Sequence, residues 1–202
     1  MIIQRVTLVT EPASAPITLA RAKEHLRVDH DDEDTIIQAY IEAATNLAEN
    51  YIGRSLVDTS FDLHQDSFGV LATSPIEIPR SPLLSVDAIF YRQGDDAEIE
   101  VSDADYYVDP SGARGRVFPL SSWPTITPQP GAVRIRFRSG YIDNGFSPPI
   151  GSIPRAIESA ILLTLGSFYA NRENEVVGAS PAQMPFGTER LLRHFVADLQ
   201  IA

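Results

Sequence analysis

The segment Val133-Arg134-Ile135-Arg136-Phe137-Arg138 carries the clearest structural pattern in the chain. Apolar and cationic residues alternate along it, which is typical of a β-strand with one buried face and one polar face. The polar face presents Arg134, Arg136 and Arg138 side by side. Three guanidinium groups could bind phosphate or a partner's carboxylates, but they could equally pair with acids on a neighbouring strand, such as Glu98 or Glu100, and we favour this pairing.

The same period of two extends over residues 57–140, where Pro and Gly residues mark the turns. Residues 84–91 lead into a turn at residues 93–96 and out through Ile99, which predicts a hairpin. Residues 106–108 and 116–120 predict two shorter strands. This part of the chain is therefore predicted to be a β block.

Helical patterns flank the β block on both sides. Thr18 is placed to cap a short helix, and a longer one runs from Asp34 to a Gly53 cap with apolar residues at spacings of three and four. Pro154 occupies a first helical position before a strongly apolar segment, and Thr188 is placed to cap a last helix.

The sequence thus predicts an α+β fold in which a bundle of about four helices, two N-terminal and two C-terminal, carries an inserted antiparallel β block. We expect residues 1–202 to form a single domain, with a helical body at residues 17–56 and 153–202 and a β-rich insertion at residues 57–142. Both termini are expected to lie in the helical body. The helices after Asp34 and Pro154 are expected to pack on one another.

Composition excludes several classes of protein. The 202-residue chain has no Cys, which removes disulfides, thiolate zinc sites, iron–sulfur clusters and cysteine nucleophiles. It has one lysine, Lys23, in a helix, so a phosphate-binding loop is excluded. No apolar run is long enough for a membrane span, and we expect a soluble intracellular protein with no membrane partner.

The charge distribution is strongly uneven. The formal net charge is −11, which argues against a dedicated DNA-binding protein because Lys and Arg supply most nucleic-acid affinity. Residues 1–110 carry 7 basic and 21 acidic side chains, whereas residues 111–202 carry 9 basic and 6 acidic ones. Such polarity suits head-to-tail contact between copies, although a solvated acidic face is the commoner explanation.

No catalytic residue, cofactor or metal site is predicted. The four histidines are scattered, and no nucleophile or zinc motif occurs. The acidic run at residues 29–34 is best explained as a solvated loop that favours the N-terminus of the following helix. Its alternative is a metal-dependent enzyme in which Asp29, Asp31, Asp32 and Asp34 hold Mg²⁺ or Ca²⁺.

Aromatic residues give a third possibility. Trp123 with Tyr91, Tyr106 and Tyr107 could form a stacking surface for a carbohydrate or a receptor. Core packing explains the same residues more simply.

Several segments occur in an order that resembles the head-tail connector (adaptor) family of tailed bacteriophages and the related neck proteins of gene transfer agents. The resemblance covers roughly residues 17–195. Its segments are Ile17-Thr18-Leu19-Ala20-Arg21-Ala22-Lys23-Glu24-His25-Leu26-Arg27-Val28-Asp29 with the acids to Asp34, Tyr51-Ile52-Gly53-Arg54-Ser55-Leu56, Ile135-Arg136-Phe137-Arg138-Ser139-Gly140-Tyr141, Ile153-Pro154-Arg155-Ala156-Ile157, Tyr169-Ala170-Asn171-Arg172-Glu173 and Leu191-Leu192-Arg193. The Pro-rich residues 121–131 around Trp123 depart from the family pattern and gain no role from it.

This resemblance implies a non-catalytic protein whose copies, typically twelve, form a ring beneath the portal of a DNA-filled capsid. The DNA passes through the ring without sequence-specific binding, and the ring presents a platform for the next neck protein, a stopper or a tail terminator. Assembly would take place in the bacterial host cytoplasm, and the protein would end in the neck of the particle. We expect a monomer when the chain is expressed alone.

Three sets of contact residues follow as expectations. Family members use C-terminal segments to engage the portal, and by position this implies contacts at Leu191, Leu192, Phe195, Leu199 and Ile201. Residues 174–187 are a second candidate contact. The uneven charge suggests that copies meet through Arg134, Arg136 and Arg138 on one side and Asp31 and Asp32 on the other.

Overall fold

The structure, a computed structural model, describes residues 4–10, 12, 14–94, 97–141, 153–172 and 186–197. It confirms the predicted α+β fold, with helices before and after an antiparallel β block. The strands are β1 Gln4–Thr10, β2 Thr59–Gln65, β3 Ile76–Ile78, β4 Leu83–Tyr91, β5 Ile99–Glu100, β6 Tyr106–Asp109, β7 Gly115–Pro119 and β8 Val133–Ser139. The α-helices are α1 Leu19–Leu26, α2 Asp34–Ile52, α3 Arg155–Ala170 and α4 Phe186–Leu192.

The chain divides into two compact units. The sheet unit contains β1 and residues 57–141, and the helical unit contains residues 14–56 and 153–197. That residues 1–202 act as one domain stays a prediction. Among the described helices, none is long and apolar enough to cross a membrane.

The sheet unit contains a five-stranded antiparallel sheet in the order β1-β2-β8-β4-β5 and a three-stranded antiparallel sheet in the order β3-β7-β6. Strand β8 is central, and its Ile135 lies opposite Leu63 on one side and Ile89 on the other. All three side chains are buried in one apolar core. The apolar residues of β8 therefore point into the core, as the alternation in the sequence predicts. The predicted β4–β5 hairpin and strands β6 and β7 are confirmed as well.

The expectation that both termini lie in the helical body is wrong for the N-terminus. Strand β1 belongs to the sheet unit and pairs antiparallel with β2, with Val6 opposite Leu63 and Leu8 opposite Phe61. Val6 packs against the sheet core. The pairing explains the position of β1, because a seven-residue strand gains its stability from cross-strand contacts that its own sequence does not reveal.

The helical unit follows its sequence signals closely. The Thr18 hydroxyl accepts a hydrogen bond from the Arg21 N–H at 3.2 Å and caps α1, and α2 ends at Gly53 in the left-handed region with φ 67°. Helix α3 starts directly after Pro154 and contacts α1, α2 and α4. As expected, α2 and α3 pack together. The large buried side chains of this unit are Ile37, Ile41, Ile52, Leu56, Ile157, Ile161, Leu165 and Leu192.

The last helix differs from its prediction. Helix α4 begins at Phe186, so Thr188 lies inside the helix and does not cap it. Its side chain is buried, and its hydroxyl has no hydrogen-bond partner among the described residues. Burial of this threonine in the unit's interior thus outweighs its capping preference. Helix α4 ends at Leu192 and continues as a 3-10 turn over Arg193–Phe195.

Candidate functional site

The three arginines of β8 form an ion-pair network on the polar face of the sheet. Arg134 Nε donates to Glu98 Oε1 at 3.1 Å, and its Nη2 donates to the other oxygen of that carboxylate. Its Nη1 lies 3.4 Å from Asp62 Oδ2. The guanidinium also lies over the Phe90 ring, 4.2 Å from the centroid, which adds a cation–π contact. The predicted pairing of Arg134 with Glu98 is confirmed.

Asp62 of β2 is the centre of this network. Arg136 binds it with two hydrogen bonds of 3.0 Å, the bidentate geometry that makes such pairs strong, and Arg134 approaches the same carboxylate. Asp62 is only 7% exposed. Burial raises the pKa of its carboxyl group, but the hydrogen bonds and charge of Arg136, with the charge of Arg134, outweigh it and hold the pKa below its usual value.

Arg138 closes the row by binding Asp58 through Nε at 3.1 Å and through Nη2. Asp58 and Asp62 were not identified from the sequence, although one signal was present: Asp62 alternates with Phe61 and Leu63 and must share the polar face of its strand. All three arginines thus have acidic partners within the chain. Their role in contacts between copies stays a prediction.

The acidic run at residues 29–34 distributes its carboxylates among different partners. Lys23 Nζ donates to Asp31 Oδ1 at 2.6 Å and to Asp34 Oδ1 at 2.7 Å, and the hydrogen bond with Lys23 lowers the pKa of Asp31. Asp32 is exposed, with Oδ2 3.8 Å from His30 Nδ1. The role of Asp31 and Asp32 in contacts between copies stays a prediction.

Glu33, within the same run, binds residues at the end of α3. It accepts a hydrogen bond from the Tyr169 hydroxyl and another from Arg172 Nη2 at 2.6 Å, and these bonds lower its pKa. Arg172 also lies over the Tyr169 ring, 4.7 Å from its centroid. This cluster ties the start of α2 to the end of α3, a role the sequence alone did not indicate.

These separate partners argue against an ion site. A divalent cation needs several oxygens that converge on one point, whereas here Asp31 and Asp34 meet an ammonium group and Glu33 meets a phenol and a guanidinium. Among the residues that the structure describes, no group of three or more His, Cys, Asp or Glu side chains could hold a metal ion. The metal-dependent alternative is therefore not favoured.

The aromatic residues do not form the stacking surface considered above. Trp123 is buried, and its ring stacks on Phe68 with centroids 5.0 Å apart. Tyr106 is buried too and donates its hydroxyl to Asp103 Oδ1 at 2.7 Å, and burial raises its pKa. Only Tyr107 of the four is exposed. Core packing accounts for the rest.

The candidate portal contacts differ in accessibility. Leu192 is fully buried inside the helical unit, whereas Leu191 and Phe195 are half-buried. The backbone nearby is also bound: the Phe195 carbonyl accepts from Arg54 Nε at 2.6 Å, and the Ala197 N–H donates to the Ile52 carbonyl at 2.9 Å. Leu199, Ile201 and almost all of residues 174–187 lie outside the described residues. The portal contacts stay a prediction.

Comparison with known families supports the resemblance seen in the sequence. The family described as phage gp6-like head-tail connector protein matches residues 16–115. This match covers α1, α2 and strands β2 to β6, and it ends at the first residue of β7. The predicted resemblance to head-tail connectors is thereby confirmed. Among curated proteins, none matches the chain.

Solved structures share the whole fold. A chain in the neck of an empty GTA particle, computed with C6 symmetry, has 24% sequence identity and a TM-score of 0.74, covering 95% of this chain and 94% of that one. A chain in the virion of a native gene transfer agent particle has 22% identity and a TM-score of 0.75, covering 94% of each chain. A chain in the neck of a native GTA particle, computed with C12 symmetry, has 22% identity and a TM-score of 0.69, covering 95% and 94%.

Proposed function

We propose that this chain is a structural head-tail connector in the neck of a tailed phage or gene transfer agent particle. The observation that carries the proposal is the likeness of fold to neck chains over about the whole length of both proteins, joined to the connector-family match over residues 16–115. Copies of the chain would form a ring, which we expect to hold twelve, between the portal and the next neck or tail protein.

The charge of the chain supports passage of DNA rather than binding of DNA. A net charge of −11 repels phosphates, so a ring of such chains would let a duplex slide through its channel without gripping it. The arginines of β8, which could have bound phosphate, are engaged by Asp58, Asp62 and Glu98.

The role is proposed to be non-catalytic. Asp31, Glu33 and Asp34 of the acidic run are engaged by Lys23 and Arg172 in the helical unit, so the run does not present several converging carboxylates to an ion or a substrate. Assembly would occur in the host cytoplasm, and the final location would be the particle neck.

Cryo-electron microscopy of intact particles from the organism that encodes this chain tests the proposal. Side-chain density would identify the protein in the region between capsid and tail. We expect a symmetric ring of this chain directly below the portal. A well-resolved neck without this chain would overturn the proposal.

The portal contact needs a separate test because Leu192 is buried. Removal of residues 198–202 deletes Leu199 and Ile201 and leaves α4 intact, so we expect normal folding and lost binding to the purified portal. Leu192→Ala is the matched comparison: it should lower the free energy of unfolding by about 2–5 kcal/mol, because it leaves a cavity in the helical unit. Undiminished portal binding by the truncated chain would contradict the assignment.

A further inference from the structure

The Pro-rich residues 121–131 brace one loop of the sheet unit. The Trp123 ring stacks on Phe68 with an angle of 5° between planes, and its Nε1–H donates to the Ser74 carbonyl at 2.8 Å. The Trp123 backbone N–H donates to the Ala72 carbonyl, also at 2.8 Å. These contacts attach the Pro-rich residues 121–131 to the loop between β2 and β3.

The base and the interior of this loop are fixed as well. At the base, the Asp66 carbonyl accepts a hydrogen bond from the Gln129 N–H at 3.2 Å, and Asp66 Oδ1 accepts one from the Gly131 N–H at 3.1 Å. Inside the loop, the Ser74 N–H donates to the Leu71 carbonyl at 3.0 Å, and the Leu71 N–H donates to Ser74 Oγ at 3.2 Å. These hydrogen bonds fix the loop at its base and across its turn.

This fixed conformation holds two large apolar side chains in solvent. Val70 is 88% exposed and Leu71 is 66% exposed. Burying these two side chains would lower the free energy of the protein, because it would transfer apolar surface out of water. A freely moving loop could pack them against the protein surface, whereas this loop keeps them exposed. Because the loop is already ordered, binding through these two residues loses little further conformational entropy. We name these two residues the apolar tip.

The surroundings of the apolar tip carry no charge in the sequence. Residues 67–76 and 120–133 contain no Asp, Glu, Lys or Arg, in a chain with 43 such side chains and a net charge of −11. The cores of protein interfaces are depleted in charge. Two copies of so acidic a chain repel each other, and this repulsion is weakest where they meet through an uncharged surface.

We propose that the apolar tip is a docking element that seats on a second copy of this chain; this inference rests on the proposed ring. A ring needs a heterologous contact, in which two different surfaces of one chain meet. The receiving surface is the exposed face of β6 and β7, where Tyr107 is 59% and Leu120 is 67% exposed. Tyr107 lies opposite Phe118, and the Asp109–Arg116 ion pair next to them on the same face carries no net charge. Leu120 directly follows β7, and its N–H donates to the Asp105 carbonyl at 2.8 Å.

The absence of cysteine in the chain makes a site-specific cross-linking test direct. Thr73→Cys, an exposed position beside the apolar tip that leaves Val70 and Leu71 in place, labelled with a benzophenone maleimide and assembled into particles, should on illumination give a cross-link between two copies, mapped by mass spectrometry to residues 106–120. Ala43→Cys, on the exposed side of α2, is the matched control and should not cross-link to that segment. A cross-link to a different protein, or none from labelled chain present in the neck, would overturn the proposal.

A second variant separates docking from folding. Val70→Ser with Leu71→Ser should leave the unfolding curve unchanged, since both side chains are exposed, but should reduce incorporation into particles at least about tenfold, as loss of an interface anchor commonly does. If the double variant were incorporated as well as the wild-type chain, the proposed docking role of the apolar tip would be wrong. Absence of the wild-type chain itself from necks would instead refute the proposed function.

Discussion

Two charged clusters of the chain differ in how deeply their ion pairs are buried. On β8, Arg134 and Arg136 bind Asp62, which is almost fully buried. In the acidic run, Lys23 binds Asp31, whose side chain is 90% exposed. Both clusters contain several ion pairs, but the carboxylate at the centre of the first is buried, whereas that of Asp31 is surrounded by water. Desolvation, rather than charge count, therefore decides which cluster holds the fold together.

The largest effect should come from Asp62→Asn. The amide keeps the shape but loses the charge, leaving Arg134 and Arg136 without their shared counter-ion. Breaking a fully buried pair costs about 3–5 kcal/mol, and since the Arg136 side chain is 40% exposed we expect a loss of about 2 kcal/mol. Urea unfolding followed by circular dichroism measures it. A wild-type midpoint would show that the network is dispensable.

Acid should reveal the same cluster in the wild-type chain. The hydrogen bond from Arg134 lowers the pKa of Glu98, and Arg136 with Arg134 keeps that of Asp62 low despite burial. Both groups bind protons more tightly when unfolded, so their stabilisation is complete above the unfolded pKa values of about 4 and is lost as pH falls through the folded ones. Stability should therefore decline below about pH 4.

The Asp62→Asn variant is the control for this pH dependence. It lacks the Asp62 carboxyl group, so its free energy of unfolding should fall less steeply between about pH 5 and pH 3 than that of the wild-type chain. Equal slopes in the two proteins would assign the acid sensitivity to other carboxylates, such as Glu33, whose pKa is also lowered.

The contrast between the clusters also marks what the sequence predicts. The alternation along β8 predicts the strand and its arginine face, because that pattern is local. The partner of Arg136 lies 74 residues away in β2, and pairing it requires the register of two strands that no local pattern specifies. The Glu33–Tyr169 bond spans 136 residues in the helical unit and escapes prediction for the same reason.

The apolar tip shows a different limit. Val70 and Leu71 are ordinary loop residues in the sequence, and nothing local distinguishes exposed apolar side chains from buried ones. Their presentation depends on Trp123, 49 residues beyond Ser74. The Pro-rich segment had no assigned role from the resemblance, and its contacts supply one.

A smaller effect is expected from Asp58→Asn. This substitution tests how exposure to solvent changes the strength of an ion pair that has the same two-hydrogen-bond geometry as Arg136–Asp62. Arg138 binds Asp58 with two hydrogen bonds, as Arg136 binds Asp62, but both side chains are considerably exposed, at 45% and 32%. The loss in unfolding free energy should stay below about 1 kcal/mol. If the same urea experiment gave a loss equal to that of Asp62→Asn, bidentate geometry rather than burial would control the strength of these pairs.

The smallest effect should come from Lys23→Met in the acidic run. Methionine keeps the length of the side chain and a good helix propensity in α1, so the change removes mainly the contacts with Asp31 and Asp34. Asp31 is in solvent, and Asp34, 34% exposed in the first turn of α2, keeps a favourable interaction with the helix dipole after the ammonium group is removed, so we expect a smaller loss than for Asp58→Asn. At 1 M salt, where the Debye length is about 3 Å, the difference from wild type should disappear, whereas that of Asp62→Asn should persist. A Lys23→Met defect that survives high salt would mean that this pair, despite its exposure, is shielded from solvent ions.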